Sequence, residues 1–282
     1  MLLCRCVFDR TTRTFGSATV KATLDIYVAL ISRYYILKKP RMGRMHRLIK
    51  YFFITLFLFF TNTVFADQNC HPEIDSSKSQ YILGYGSFMN ESSVRQTDPQ
   101  AGRNIPIELL GYQRRWGIVP QRAKSEMFVG IVKKPGQLIN GVVFKLSTPE
   151  ILAKFDNREI GYCREAVSPA SFNPLIQIEN LSGQFWLYTP MNHLFKNPSQ
   201  RYPISQAYVD VFLSGCLALE KRYDLEGFAA QCVLTTKKWG SAWLKNRQPE
   251  KRAYVSKDDM KKVDDLLKKT LFDLYKKINI SP

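Results

Sequence analysis

Short apolar and aromatic runs, each closed by turn residues, crowd the middle of the chain. They cover Gln80 to Tyr85, Ile105 to Tyr112, Trp116 to Val119, Met127 to Val132, Gly141 to Leu146 and Gln184 to Tyr188. Runs of this length that are bounded by Gly, Pro, Asn and Ser are typical of β-strands. The pattern predicts a sheet, with the first strand ending in a turn at Gly86.

The segment from Ser147 predicts one helix between these strands. Ser147 is followed three residues later by Glu150, as in a capping box, and Pro149 stands early in the first turn. We expect this helix to end near Asn157.

Beyond Pro203 the apolar positions recur every three or four residues, which predicts helices. Ser256 and Asp259 begin the last helix, whose apolar side runs from Met260 to Ile278 and whose other side is rich in lysine. A lysine-rich helix face is usually solvated, so a DNA-binding face is the less favoured interpretation. Strands followed by helices predict an α+β fold.

Residues 45–66 have the three parts of a secretory signal peptide. A basic segment that starts at Met45 precedes Tyr51 to Phe60, which is apolar or aromatic except for one Thr. Val64 and Ala66 then form the small-x-small motif of a cleavage site. The apolar run is shorter than the roughly 20 residues that span a bilayer. We predict cleavage after Ala66 and export to the periplasm or beyond, with an uncleaved membrane anchor as the alternative.

Residues 1–44 precede this signal and are best explained as an upstream extension. Translation from Met42 or Met45 would remove them, whereas a short buried element or a transit peptide are the alternatives. The mature chain would then run from Asp67 to Pro282, a length that suits one domain.

Composition and charge narrow the class of protein. The chain is 45% apolar, 13% aromatic and 23% charged, which excludes pervasive disorder. The net charge is +17, but residues 1–66 hold 11 of the 41 basic residues and only 2 of the 24 acidic ones. The rest of the chain is not unusually basic, so we expect no nucleic-acid partner. Three histidines and no Cys-x-x-Cys pair leave too few ligands for a structural zinc site, and we expect no metal.

Four cysteines remain after the predicted cleavage: Cys70, Cys163, Cys216 and Cys232. An even number in an exported chain is compatible with two disulfides and three possible pairings. Cys216 and Cys232 lie in neighbouring helical segments and are our first choice for a pair.

The first candidate for chemistry is the segment Tyr85-Gly86-Ser87-Phe88-Met89. A strand that runs into Gly-Ser exposes successive backbone N–H groups, with no Cβ in the way at Gly86. Such groups form a concave receptor for a carboxylate or an oxyanion. A plain turn is the alternative.

The second candidate is segment 155–165, which holds five charged side chains directly after the predicted helix. A solvated helix end is the alternative interpretation. Asp156 and Glu159 are only three residues apart, and this spacing seldom lets two carboxyl groups face each other across a sugar, so a glycosidase is not favoured. A single carboxylate that acts as a general acid and base fits the segment better.

Together these segments resemble the gamma-glutamylcyclotransferase family. The matching motifs are, in order, Tyr85-Gly86-Ser87-Phe88, Asn140-Gly141-Val142-Val143-Phe144, Phe155-Asp156-Asn157-Arg158-Glu159 with Tyr162, and Phe185-Trp186-Leu187-Tyr188. The resemblance spans about Gln80 to Tyr188. Segments 208–216 and 243–249 are similar, less specifically, to the C-terminal extension of bacterial-type members.

The resemblance implies a fold and a division of the chain. The fold would be α+β, with a small, mixed, partly closed sheet or barrel, flanking helices and a helical C-terminal extension. Residues 67–79 would form an N-terminal segment, residues 80–190 the core, and residues 191–282 the extension of the same domain.

The resemblance also implies an activity. In this family the α-amine of a γ-glutamyl group attacks its own γ-carbonyl, which releases 5-oxoproline and the former amide partner. Glu159 matches the residue that would move the protons. Tyr162 would line the pocket, no cofactor would be needed, and the partner would be a small γ-glutamyl compound. The residues that would hold the glutamyl end are Tyr85, Gly86, Ser87 and Phe88.

Other interpretations remain. Glu165 is a rival base, although it enters the next strand, where we expect it to point outward and pair with Arg164. Cys163 lacks a histidine in a comparable motif to activate it, which favours a disulfide or a buried thiol. A binding module that keeps the fold without catalysis is the alternative function.

Overall fold

Two long antiparallel strands form the frame of the main sheet in the computed structural model, which describes residues 70–120, 125–179, 181–247 and 255–281. They are β2, Ile105–Ile118, and β3, Phe128–Lys145. Each merges two of the predicted strands. The polar stretch between Lys133 and Leu138, predicted as a turn, is an exposed excursion of β3, since Lys133 pairs with Tyr112 and Leu138 already pairs with Leu110. The signal peptide and its upstream extension lie outside the described residues.

The other strands of this sheet complete a mixed topology. They are β1, Gln80–Gly84; β4, Tyr162–Ala166; β5, Phe172–Pro174; and β6, Gln184–Pro190. The strand order is β4-β6-β1-β3-β2-β5, in which β1 runs parallel to β6 and antiparallel to β3. The central strand β1 is buried along its whole length. This order brings the carboxyl end of β1 beside β3 and β6.

Helices cover the sheet and confirm the α+β class. They are α1, Glu91–Arg95; α2, Leu152–Arg158; α3, Gln206–Tyr223; α4, Phe228–Thr235; α5, Lys257–Thr270; and α6, Phe272–Tyr275. A second, small sheet joins β7, Ile204–Ser205, β8, Ala242–Leu244, and β9, Asn279–Ser281, in parallel. The sequence analysis did not predict this second sheet.

The two predicted helix starts have different outcomes. The last helix begins after Ser256 as predicted, and Ser256 and Asp259 form a capping box there. The box predicted from Ser147 is wrong, because the Ser147 hydroxyl donates to the carboxylate of Asp98 at 2.7 Å, and a single 3₁₀ turn, Pro149–Ile151, leads into α2. The predicted C-terminal helix also breaks at Leu271, between α5 and α6.

An arginine and the tryptophans hold the helical extension together. Arg247 donates to the carboxylates of Asp210 in α3 and Asp264 in α5, at 2.7 to 2.9 Å. Trp239 stacks on Trp243, with ring centroids 6.0 Å apart, and packs against the tilted ring of Trp116 at 5.0 Å. These tryptophans therefore pack in the core.

Two disulfides form among the four cysteines. Cys216 of α3 is bonded to Cys232 of α4, the pair chosen from the sequence, with Cα atoms 6.7 Å apart. Cys70 is bonded to Cys163 in β4, with Cα atoms 4.5 Å apart, so the N-terminal segment is tied to the edge of the main sheet. Within the ranges given above, no helix has the length and apolar character to cross a bilayer.

Candidate active site

The turn after β1 lies where α3 crosses the end of the strand. Ser87–Met89 forms a 3₁₀ turn directly after Gly86. Gly215 of α3 contacts the backbone of Met89 and Asn90 so closely that a Cβ there would overlap them. A glycine at this position lets the helix approach the turn.

This approach brings Tyr208 of α3 against the turn. Its hydroxyl oxygen accepts a hydrogen bond from the backbone N–H of Ser87 at 3.1 Å. A Cβ at Gly86 would lie closer to that oxygen than the 3.0 Å that real Cβ atoms keep. The tyrosine ring packs against Phe128, with centroids 4.6 Å apart, and edge-on against Trp116. In this structure the Tyr208 hydroxyl is therefore the acceptor for the Ser87 N–H, which we expected to bind an anion.

All six residues predicted from the sequence line one small cavity, and four further residues complete it. Its volume is about 20 Å³, room for about one water molecule. The predicted residues are Tyr85, Gly86, Ser87, Phe88, Glu159 and Tyr162. The residues that the sequence analysis did not assign to a site are Leu83, Val129, Tyr188 and Tyr208. The structure thus brings together two segments that are more than 70 residues apart in the chain.

Glu159 follows the last residue of α2, and its backbone N–H closes the helix by donating to the Phe155 carbonyl at 2.9 Å. Its side chain is 17% exposed, and its nearest recorded charge is Arg158, with Nε 3.5 Å from Oε1. Burial raises the pKa of the Glu159 carboxyl, and the charge of Arg158 partly offsets that rise. Among the described residues no hydrogen-bond donor is recorded for this carboxylate besides its ion pair with Arg158, so its oxygens can still accept from a ligand.

Four tyrosines surround this carboxylate and differ in the use of their hydroxyl groups. Tyr85 donates to the carbonyl of Tyr188 at 2.8 Å, and Tyr188 donates to Asp156 Oδ1 at 2.6 Å. In the described part of the chain, no protein acceptor is recorded for the hydroxyl proton of Tyr162, whereas the Tyr208 hydroxyl also interacts with the Ser87 side chain.

The tyrosines also share one electrostatic property. Burial, reinforced by nearby charged or tyrosine groups, raises the pKa of each of them. They are therefore protonated near neutral pH and serve as hydrogen-bond donors rather than as bases. Tyr162 can donate to a ligand directly, and Tyr208 can do so when its hydroxyl leaves the Ser87 side chain.

The rival carboxylates have other partners. Asp156 accepts from Tyr188 and lies 3.5 Å from Nε of Arg164, so it does not form a pair with Glu159. Glu165 accepts from Thr189 at 2.7 Å and forms an ion pair with Lys133 at 2.9 Å. The expected pairing of Glu165 with Arg164 is wrong, because Arg164 is buried and donates instead to the carbonyl of Pro72.

A larger groove, of about 740 Å³, lies beside β4 and contains Glu165 rather than Glu159. Lys133, Thr189 and the cysteines of the Cys70–Cys163 disulfide also line it. Its size does not make it the candidate site, since Glu159 and the Gly86-Ser87 turn line the smaller cavity instead. Within the described residues, no group of three or more potential metal ligands occurs.

Comparison with known proteins gives matches only among solved structures. No protein-family model matches the chain, and no curated protein is significantly similar to it. A structure titled gamma-glutamyl cyclotransferase is 15% identical, covering 67% of this chain and 99% of its own, with a TM-score of 0.45. A gamma-glutamyl cyclotransferase specific to glutathione from yeast is 14% identical, covering 66% and 97%, with a TM-score of 0.33. An AIG2-like protein from Mus musculus is 14% identical, covering 42% and 82%, with a TM-score of 0.31. The first two carry the name of the family that the sequence motifs resemble.

Proposed function

We propose that this protein is a cyclotransferase that converts a γ-glutamyl compound into 5-oxoproline and a free amine. One observation carries the proposal: the largely buried carboxylate of Glu159, whose recorded partner is the ion-paired Arg158, shares a small cavity with the Gly86-Ser87 turn. A general acid and base must be close to the groups whose protons it moves, and its pKa must suit the task. Burial of Glu159 acts in the direction of the second condition, because it raises the pKa of this carboxyl above its ordinary value.

The reaction needs two proton transfers at one carboxylate. Glu159 accepts a proton from the α-ammonium group of the substrate, and the amine nitrogen then attacks the γ-carbonyl carbon. The carbon–nitrogen bond to the leaving group breaks while Glu159 returns the proton to the departing nitrogen. The ring nitrogen then still carries one proton more than it has in 5-oxoproline, and Glu159 passes this second proton to the released amine. The products are 5-oxoproline and an ammonium group, so atoms and charge balance without a cofactor.

The turn and the tyrosines would stabilise the charge that develops on the carbonyl oxygen. Backbone N–H groups aimed at such an oxygen are worth several kcal/mol in comparable sites, about 2.7–4 for one donor. The Ser87 N–H is engaged by the Tyr208 hydroxyl. A substrate oxygen must therefore displace that hydroxyl or bind to its proton, and the cavity must open to admit a glutamyl group.

Export of the chain is part of the proposal. The residues 45–66 have the pattern of a cleaved signal. Mass spectrometry of the native protein should find Asp67 at the N-terminus. Peptides from residues 1–40 in the mature protein would contradict this processing.

The proposal is tested by the products released from a panel of γ-glutamyl amino acids, γ-glutamyl amines and glutathione. A cyclotransferase releases 5-oxoproline and the amine in equal amounts, whereas a hydrolase releases glutamate. The matched controls are the same compounds with an acetylated α-amine, which cannot cyclise by this route. Binding of panel members without any 5-oxoproline would support the non-catalytic binding module instead.

A further inference from the structure

Arg158 is the last residue of α2 and is held firmly by α1. Its Nη1 donates to the carbonyl of Ser93 at 2.7 Å and to Oγ1 of Thr97 at 3.0 Å, and its Nη2 donates to Oγ of Ser93 at 2.9 Å. The side chain is 24% exposed. Three hydrogen bonds to one short helix and its following turn therefore fix the plane of this guanidinium group.

The same guanidinium group reaches both halves of the candidate site. Its Nη2 donates to the hydroxyl oxygen of Ser87 at 3.2 Å, and its Nε lies 3.5 Å from Oε1 of Glu159. The group also lies over the ring of Phe88, 4.6 Å from the centroid. One rigid side chain thus contacts the turn and the carboxylate at the same time.

We infer that Arg158 is a positioning residue, which sets the place of the Glu159 carboxylate relative to the Ser87 turn and compensates its charge. This inference rests on the proposed function of Glu159. The geometry requires arginine, because the planar fork offers several donors in fixed directions, whereas a lysine ammonium is a single point on a flexible stem.

Arg158 is the only cation recorded against Glu159 among the described residues. The other polar groups that face the carboxylate are tyrosine hydroxyls from the turn, β4, β6 and α3: Tyr85, Tyr162, Tyr188 and Tyr208. These groups are neutral near neutral pH. Loss of the Arg158 charge would leave the burial of Glu159 uncompensated, so the pKa of its carboxyl would rise further. A smaller fraction of the enzyme would then hold the base form at a given pH.

Two variants separate the charge of Arg158 from its shape. Arg158→Met removes both, whereas Arg158→Lys keeps the charge and loses the fork. The control is Arg95→Met, which removes an exposed arginine of α1 that pairs with Glu91. All variants are purified as the mature chain and checked by thermal melting.

The first readout needs no activity. Carbon-13 NMR of labelled glutamate side chains, with the Glu159 signal assigned by its loss in Glu159→Gln, gives the pKa of this carboxyl without substrate. We expect a higher pKa than wild type in Arg158→Met and no change in Arg95→Met. An unchanged pKa in Arg158→Met would overturn the inference, even if no compound of the panel were a substrate.

The second readout is the pH profile of kcat/KM for 5-oxoproline release. We expect the acidic limb of Arg158→Met to move to higher pH together with the NMR titration. Arg158→Lys should keep the limb near that of wild type but lose on the order of 10- to 100-fold in kcat/KM, because the carboxylate is no longer held in place. Wild-type kcat/KM across the pH range in Arg158→Lys would overturn the inference, and this outcome remains measurable if Arg158→Met does not fold. Absence of 5-oxoproline from the wild type would instead reject the proposed function.

Discussion

The close approach of Tyr208 to Gly86 makes a double-mutant experiment possible. In Gly86→Ala the new Cβ would overlap the Tyr208 hydroxyl oxygen but would lie 3.6 Å from Cζ, an ordinary contact. The hydroxyl would have to move by at least several tenths of an ångström, although its ring is packed against Phe128 and Trp116. Overpacking of this kind costs about 1–3 kcal/mol, and loss of the Ser87 hydrogen bond adds about 1 kcal/mol.

Gly86→Ala alone should therefore lower the free energy of unfolding by about 2–4 kcal/mol, which is a fall in Tm of roughly 4–16 °C for a domain of this size. Tyr208→Phe should cost only about 1 kcal/mol, since it removes one hydrogen bond. In the double variant the overlapping oxygen is gone and the hydrogen bond is lost only once, so the combined cost should be smaller than the sum by about 2–4 kcal/mol.

The assay is urea unfolding of the four proteins, with m-values compared to confirm that the unfolded states are similar. Strictly additive effects would refute the contact between Tyr208 and the turn. They would also remove the reason for placing this tyrosine in the candidate site.

Two further predictions follow from burial. The Cys70–Cys163 disulfide should be reduced before Cys216–Cys232, because the first pair lines an open groove and both cysteines of the second are fully buried. Differential alkylation at increasing dithiol concentration measures the order of reduction, and the reverse order would contradict the prediction. Glu159→Gln should have a Tm equal to or higher than that of wild type at pH 8, because burial raises the pKa of Glu159 and the ionised form destabilises the folded state above that pKa. The difference should shrink as the pH falls toward the carboxyl range of the unfolded chain, and a variant that is less stable by the same amount at pH 5 and pH 8 would refute the sign.

The sequence predicts the site residues that belong to local motifs, but not those that distant segments bring into the cavity. The Tyr85 to Phe88 turn and Glu159 stand in short motifs, and a strand end or a helix end is defined by neighbouring residues. Tyr208 stands only in the less specific resemblance of segment 208–216, which gave it no role, because its place in the cavity depends on Gly215 and on the packing of α3 against the turn. Its periodicity marks only a buried helix face.

The difference between local motifs and long-range contacts also explains where the fold predicted from the sequence is wrong. The sequence pattern divides β2 in two because Arg114 and its neighbours are polar, yet Arg114 is buried and donates to the carbonyls of Tyr85, Asn140 and Cys232. Acceptors from distant segments form the hydrogen bonds of this arginine, and no local sequence pattern predicts them. Ser147 likewise bonds to Asp98 instead of capping its own helix.

The central claim is that Glu159 moves the protons in the release of 5-oxoproline, and the turnover of Glu159→Gln tests it most directly. The substitution keeps the size of the side chain and removes the proton-accepting carboxylate. We expect kcat to fall on the order of 10²–10⁴-fold with a much smaller change in KM, while the control Glu165→Gln, whose carboxylate faces Lys133 and Thr189, keeps most of its activity. Wild-type turnover by folded Glu159→Gln, or a loss confined to Glu165→Gln, would contradict the assignment.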